Sequence, residues 1–431
     1  MKIIEGFSQA KAALTRQSLK GVPAADDREK TVKEIIRDVR VRGDAAVLEY
    51  TEKFDGVKLT SLEVDKAEID RAYRELDKEL LAALKLAAER ITAYHSEQKK
   101  MLLHDSKNKK LGWVVRPLER IGVHAPGFTA PLPSSLLMTA IPAKVAGVKE
   151  IILVTPPGRQ GSVSPITLAA AAVAGIDRVF SIGGAQAVAA LAYGTESVPR
   201  VDKVCGPGNI YVYLAKKMVY GDVGIDGLYG PSEVIIIADE TANPAYCAAD
   251  LLAQAEHGSG ASAKIITTSR ETAEKVNREI ERQLPALSRR AIAAESLEKN
   301  GLIAIVDSVD SAIELANQYA PEHLCLVVDK ADSYIEKVKN AGCLFIGENS
   351  IEALVDYVAG PSHVLPTEGT ARFGSGLNIL DFVKLVSVIN MDKKDIKQLG
   401  EATSIIARAE GLDAHARAVA KRLEDMAKGG S

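Results

Sequence analysis

Cysteine is scarce: the 431-residue chain has four, at positions 205, 247, 325 and 343, with no Cys-x-x-Cys pair or other metal-ligand spacing. That argues against a disulfide framework or a thiolate metal site, and the four read as small core residues that a cytosolic protein keeps reduced. A surplus of positive charge is also lacking. The formal net charge of -3 gives no electrostatic case for nucleic acid or an anionic membrane. The dense basic run Lys107 to Lys110 is interrupted by Asn108 and reads as a solvated turn. No apolar run reaches the roughly 18 residues of a membrane span, and the opening Met-Lys-Ile-Ile-Glu-Gly has no signal-peptide apolar core. The expected compartment is the cytoplasm. Neither a Walker loop nor a complete Gly-x-Gly-x-x-Gly fingerprint is present, and Gly206-Pro207-Gly208 is too short a match to specify a nucleotide.

What is present is an ordinary globular composition, 47% hydrophobic and 26% charged, over a length that suits two to four domains. Residues 1–22 read as a short helical stretch ending before Gly21 and Pro23. Amphipathic helices follow, one marked by Val32, Ile35, Ile36 and Val39, another by Val47, Leu48 and Phe54, and a long one from Leu80 to Met101. From Trp113 onward short apolar runs alternate with alanine-rich helical ones. Ile151–Val154, Val179–Ile182, Val201–Val204 and Val234–Ala238 read as buried strands, and Ala263–Thr268, Leu302–Val306, Leu324–Val328 and Cys343–Ile346 continue the series. This alternation predicts an α/β protein with two open, doubly wound parallel sheets, whose ligand rim lies beyond the strand carboxyl ends. The loops Thr155-Pro156-Pro157-Gly158, Gly183-Gly184-Ala185-Gln186 and Gly206-Pro207-Gly208-Asn209 would form that rim, where backbone amides can admit a phosphate. Beyond Phe373 the chain turns helical from Lys393 to Lys428, with Asp413 capping the last helix and His415 in its first turn.

The chemistry gathers around the stretch Asn243 to Gly258. Asn243 suits a helix cap, Pro244 the first helical position and Gly258 a left-handed stop, and Gln254 and His257, spaced i, i+3, project together from the last turn. Further polar groups fall at Pro321-Glu322-His323 directly before an apolar strand, at Asp356-Tyr357, in the loop Gly360-Pro361-Ser362-His363, and at Glu410 and His415. Singly each has an ordinary role: a local ion pair, a loop hydrogen bond, a solvated first turn. Together they offer one Gln, one Asp and two His as ligands, plus a Glu and a His left over for proton transfer. Imidazole and carboxylate oxygen suit zinc, and a thiolate-free site with open positions suits a catalytic ion.

These motifs resemble the histidinol dehydrogenases over nearly the whole chain. The marks are Gln-Ala-Glu-His-Gly (254–258), Tyr-Ala-Pro-Glu-His-Leu (319–324), Gly-Pro-Ser-His-Val-Leu-Pro-Thr (360–367) and Glu410 followed by His415. Gly-Gly-Ala-Gln-Ala (183–187), Gly-Thr-Glu-Ser-Val-Pro (194–199), Gly-Pro-Gly-Asn (206–209) and Gly-Pro-Ser-Glu-Val (230–234) support them. The resemblance implies an NAD-dependent enzyme with one zinc ion per subunit that oxidises L-histidinol through L-histidinal to L-histidine. By matching positions, Gln254, His257, Asp356 and His415 would hold zinc, which anchors the substrate. His323 would be the general base and Glu322 would activate water for the aldehyde stage. Ser134, Ser232, His363 and Glu410 would contact substrate, together with the metal and acid/base residues, and His124, Gln186 and Asn209 would lie on the cofactor. It also implies two incomplete Rossmann-like domains with small helical extensions: 1–22; 23–123 with 233–376, carrying most of the metal site; 124–232 on the cofactor side; and a tail, 377–431, exchanged in a homodimer with composite sites.

Two stretches depart from the family pattern. His124-Ala125-Pro126-Gly127-Phe128 stands where Tyr-x-Pro-Gly-Gly is usual, and Asp226-Gly227-Leu228-Tyr229 where Asp-Met-x-Ala is more typical. Three other readings remain open at this level: a paralogous zinc alcohol dehydrogenase, a zinc hydrolase and a two-lobed solute-binding protein. Reduction of a nicotinamide, seen only with the right alcohol, separates them.

Overall fold

The computed structural model describes residues 1–16, 23–127 and 131–428, so that part of the expected N-terminal stretch, and Phe128, lie outside the described residues. Two units are distinguished, Met1–Lys99 with Leu118–Phe382, and Lys100–Pro117 with Val383–Ser431.

The larger unit opens with β1 (Lys2–Glu5), α1 (Phe7–Leu14), α2 (Pro23–Arg42), α3 (Asp44–Asp55), α4 (Lys66–Glu75) and α5 (Lys78–Leu102). After β2 (Leu111–Pro117), which belongs to the smaller unit, strands and helices alternate: β3 (Arg120–His124), α6 (Pro133–Ala146), β4 (Glu150–Thr155), α7 (Pro165–Ala174), β5 (Arg178–Ser181), α8 (Gly184–Tyr193), β6 (Lys203–Cys205), α9 (Ile210–Val219) and β7 (Gly224–Ile225). Five of these strands form a parallel sheet in the order β5-β4-β3-β6-β7. Counted from its own first strand, that order is 3-2-1-4-5, the arrangement of doubly wound nucleotide-binding folds.

The alternation then repeats with β8 (Glu233–Ala238), α10 (Pro244–Ala255), β9 (Ser262–Thr267), α11 (Arg270–Gln283), α12 (Arg290–Asn300), β10 (Leu302–Ile305), α13 (Val309–Tyr319), β11 (His323–Val327), β12 (Cys343–Ile346) and α14 (Glu352–Tyr357). Its sheet runs β1-β10-β9-β8-β11-β12, again 3-2-1-4-5 counted from β8, with β1 added at one edge. A strand covered on both faces must be apolar at successive positions. Thus Ile236 faces Ala248 and Leu251 of α10, while Ile235 and Ile237 face Ile313 and Ala316 of α13. Truncating any of these isoleucines to Ala would cost about 2–5 kcal/mol.

Three features of the larger unit differ from the sequence reading. The N-terminus is a strand before it is a helix: Lys2–Glu5 pairs in parallel with Leu302–Ile305, and four residues were too few to show a period. Residues Val32, Ile35, Val39 and Val47 of α2 and α3 share a core with Phe180, Val188 and Leu191, so these helices cover the five-stranded sheet; the expected grouping of 23–123 with the other sheet follows chain order and not this packing. β3, whose residues Arg120–His124 straddle the expected boundary at 123/124, also belongs wholly to the five-stranded sheet.

The smaller unit is not purely helical. β13 (Val383–Ile389) pairs antiparallel with β2, and α15 (Lys393–Ala409) and α16 (Asp413–Lys428) follow. Asp392 and Asp395 close a capping box at the start of α15, and Asp413 is the first residue of α16 rather than its cap. The two helices meet at Gly400, where an added Cβ would lie 2.9 Å from Val419 and 3.2 Å from Leu423. Val419 and Leu423 are therefore partly covered within their own hairpin. The smaller unit's exposed apolar residues include Leu385 and Ile389 on β13 and Ile405 and Ile406 on α15.

Candidate active site

Glu233 and His323 are the first residues of two adjacent parallel strands, β8 and β11. The Glu233 N–H donates to Glu322 Oε2 at 2.8 Å. The His323 ring lies 3.1 Å, through Nδ1, from the Glu233 carbonyl. A carbonyl only accepts, so Nδ1 carries the proton and Nε2 keeps its lone pair. That Nε2 is buried and has no protein partner. Burial, opposed by the bond to Glu233, pulls His323 down to about 3, and burial also raises the Glu322 carboxyl well above the usual range. Both groups are held in their uncharged forms, which leaves a neutral imidazole with a free lone pair beside a carboxyl group.

This constellation sits at the amino ends of the strands of the six-stranded sheet. The rim expected at the carboxyl ends is therefore not where these groups gather. The reason is local: Glu322 and His323 lead into β11, and α10 returns its last turn to the same edge. In α10 the Asn243 side chain accepts the Ala245 N–H at 3.0 Å, with Pro244 in the first turn as expected. The helix stops earlier than predicted, at Ala255, with Glu256 still right-handed and Gly258 not in a left-handed conformation. His257 lies just past the helix in a turn whose N–H meets the Gln254 carbonyl at 3.3 Å.

Gln254 is fully buried, yet neither end of its amide has a partner. Such a group costs about 1–3 kcal/mol unless something binds it. His257, Glu352 and Asp356 each offer a ligand atom, all within 4.8 Å of one another, and His257 Nε2 is 3.9 Å from Asp356 Oδ2. Burial raises Asp356 to about 6, with His257 opposing. Nitrogen and oxygen donors without thiolate, next to an orphaned amide, fit a zinc ion. His363 braces the cluster: its Nδ1 donates to the Asp356 carbonyl at 2.8 Å, which leaves Nε2 to accept from the Ser135 hydroxyl at 3.1 Å.

Glu352, Ser135 and Glu233 were not singled out from sequence. Glu352 is almost fully buried, has a partnerless Oε2, and reaches within 3.8 Å of His323 Nδ1. The available signal was its i, i+4 spacing from Asp356, which puts both carboxyls on one face of α14. Ser134 lies in the first turn of α6, half-buried beside Ser135, and Ser232 directly precedes Glu233. Glu410 is the C-cap of α15 and His415 lies in the first turn of α16, both exposed and both in the smaller unit.

The other expected residues line the carboxyl ends of the five-stranded sheet. His124 ends β3 and is buried; its Nδ1 donates to the Pro207 carbonyl at 2.8 Å and its Nε2 has no partner. Burial pulls it down to about 4. A Cβ on Gly206, whose φ is +100°, would lie 2.3 Å from the His124 carbonyl, so only glycine lets the two strand ends approach. The Gly206 N–H donates to Asp226 at 2.7 Å, and Asp226 pairs with the buried Lys216 ammonium at 2.5 Å. Gln186 is buried near the start of α8, while the Asn209 side-chain oxygen caps α9 by accepting from Tyr211 and Val212. His124 is thus packed inside as a strut to the glycine loop, not laid open as a stacking face.

The family model described as histidinol dehydrogenase matches residues 20–423. The chain is 54% identical to the histidinol dehydrogenase of Dehalococcoides mccartyi over 436 aligned positions, covering 98% of this chain and all of that one. It is 51% identical to the Bacillus cereus histidinol dehydrogenase, over 92% of this chain and 93% of that one. Among solved structures, histidinol dehydrogenase from Elizabethkingia anophelis superposes with a TM-score of 0.93 at 37% identity, over 99% of this chain and 98% of that one.

Proposed function

The chain belongs to the histidinol dehydrogenase family, and we propose that it oxidises L-histidinol in two NAD-linked steps, through L-histidinal, to L-histidine, the last step of histidine biosynthesis. The observation that carries the reading is the buried, neutral His323 with its lone pair free on Nε2, set beside the Glu322 carboxyl. Gln254, His257, Asp356 and His415 would hold one zinc ion. When bound, NAD would supply the acceptor for the hydrides of both stages, and zinc would supply an anchor for the substrate's imidazole and amino nitrogens.

The protein groups then divide the proton work. At the alcohol stage His323 Nε2 takes the hydroxyl proton as the carbon loses a hydride. At the aldehyde stage Glu322, ionised when it acts, takes a proton from the attacking water, and the hydrate loses the second hydride. His363, Ser134, Ser232 and Glu410 orient the substrate, while Gln186 and Asn209 bind the dinucleotide near the loops that His124 braces. The expected oligomer is a cytoplasmic homodimer in which His415 and Glu410 complete the site of a second copy. No helix among the described residues is long and apolar enough to cross a membrane.

Absorbance at 340 nm with zinc-loaded protein tests the reaction: two NADH should form per histidine. One NADH with aldehyde released would remove the second stage, and oxidation of another alcohol but not histidinol would assign a paralogous substrate. Refolding inactive His257→Ala and His415→Ala chains together tests the shared site. Heterodimers would carry one intact site of two, about a quarter of all sites in an equal mixture; inactivity with heterodimers present would rule out exchange.

A further inference from the structure

Both acid/base candidates hang from one residue. Glu233 gives its N–H to Glu322 and its carbonyl to His323, and as the first residue of a strand it stands where a sheet ladder constrains the backbone least. Its side chain supplies the missing restraint. Arg16, just beyond α1, clasps the Glu233 carboxylate with two parallel bonds, Nη1 to Oε1 at 2.6 Å and Nη2 to Oε2 at 2.7 Å. Its Nε donates to the Tyr319 carbonyl at 2.9 Å, and its guanidinium carbon lies 3.7 Å from the centroid of the Tyr319 ring. Tyr319 ends α13, three residues before Glu322 on the approach to β11. One planar fork therefore ties the entries of both strands together. A turn with left-handed φ values, 54° at Glu368 and 81° at Gly369, closes over it; a Cβ on Gly369 would lie 3.1 Å from Arg16 Nε.

We propose that Arg16 is a positioning residue for the acid/base pair: through Glu233 it holds the peptide that orients the Glu322 carboxyl and selects the His323 tautomer whose lone pair is on Nε2. What the pair does rests on the reaction proposed above; how it is held does not. Lysine at position 16 keeps the charge and loses the fork, so it should fail with the neutral variant.

The test uses zinc-loaded Arg16→Lys and Arg16→Gln proteins, assayed separately with histidinol and histidinal. Both stages should lose about 10- to 100-fold in kcat, with KM for histidinol within about threefold of wild type. Zinc content per folded chain should not change. In protein carrying nitrogen-15 histidine, the His323 signals, assigned with His323→Asn, should move from the Nδ1-protonated pattern to a mixture of tautomers. If Arg16→Gln does not fold, Glu233→Gln breaks the same clasp from the other side and should give the same result. Wild-type kcat in folded variants would overturn the inference. So would a loss accounted for by missing zinc or unfolded chain with the His323 spectrum unchanged. Wild-type protein inert on histidinol, with the spectral shift still seen, would refute the reaction and leave the clasp standing.

Discussion

The two sheets share one strand order and each holds a buried histidine at a strand end, yet the two imidazoles stand in different surroundings. His323 begins β11 and His124 ends β3. Each donates Nδ1–H to a carbonyl, of Glu233 or Pro207, and each has Nε2 buried without a partner. Around His323, carboxyl oxygens of Glu322 and Glu352 lie 3.7 and 3.8 Å from Nδ1. Beside His124, the Lys216 ammonium adds to burial in disfavouring the charged ring. The His257 and His363 rings add to burial in disfavouring a charged His323, but a proton arriving there can be compensated by ionisation of a neighbouring acid; one arriving on His124 meets the Lys216 ammonium. The same tautomer-fixing device thus serves the base role proposed for His323 at one edge and a neutral strut at the other.

The sharpest way to break this comparison is to replace the two rings in turn. His323→Asn should lower kcat for histidinol oxidation by about 10³-fold, within the usual range for a general base. His124→Asn should leave kcat within about tenfold and act mainly on NAD affinity, measured by calorimetry. Equal losses in kcat would erase the distinction. The neighbouring acids should separate as well. Glu322→Gln should slow the histidinal stage about 10²-fold more than the alcohol stage. Glu352→Gln should weaken zinc binding by about 10- to 100-fold as a group bordering the ligands; unchanged zinc affinity in competition with a chelator would leave Glu352 without that role.

A smaller effect tests the neutral strut. The His124 pKa is near 4 in the folded protein, below the value near 6.5 of an unfolded chain. The unfolded state therefore binds the extra proton between those limits, and the stability carried by the neutral ring is present above pH 6.5 and is lost as pH falls toward 4. Between pH 7 and 5 this amounts to about 2 kcal/mol. Urea unfolding of the wild type should show that loss, and His124→Asn should show correspondingly less of it. An identical pH dependence in the two proteins would mean that His124 takes up its proton without unfolding.

How much of this was legible follows from what burial does to a sequence. Strands covered on both faces leave continuous apolar runs, so β4, β8, β9, β10, β11 and β12 could be read to within a residue or two. β1 and β7 are too short to show a pattern, β3 carries Gly122 within it, and β2 and β13 pair with much of their length exposed. Polar residues next to such runs stood out: Glu322 and His323 before one strand, Gln254 and His257 at a helix end. Arg16, Glu233 and Glu352 did not, because charged residues at a helix end, at the start of a strand or in a first helical turn are ordinarily solvated. Only the fold reveals that Glu352 is buried and that Arg16 reaches Glu233, 217 positions away.

The smallest expected effect concerns the departure at 226–229, beside the strut. Tyr229 lies over the buried Lys216, whose ammonium is 4.7 Å from the ring centroid. A Cβ on Gly227 would sit 3.0 Å from Cε1, Cζ and Oη of that ring. Gly227 has no left-handed φ to preserve, so the ring alone resists a side chain there. The paired change from the family pattern, smaller at 227 and larger at 229, then reads as one exchange of volume. Gly227→Ala should cost about 1–2 kcal/mol, because the ring must give way while holding its place over Lys216. In a Tyr229→Ala background the same substitution should be neutral or stabilising by up to about 1 kcal/mol, since alanine has less freedom to lose on folding. Urea unfolding of the four proteins should give a coupling energy of about 1–3 kcal/mol. Effects that add to within about 0.5 kcal/mol would show that the two changes are independent.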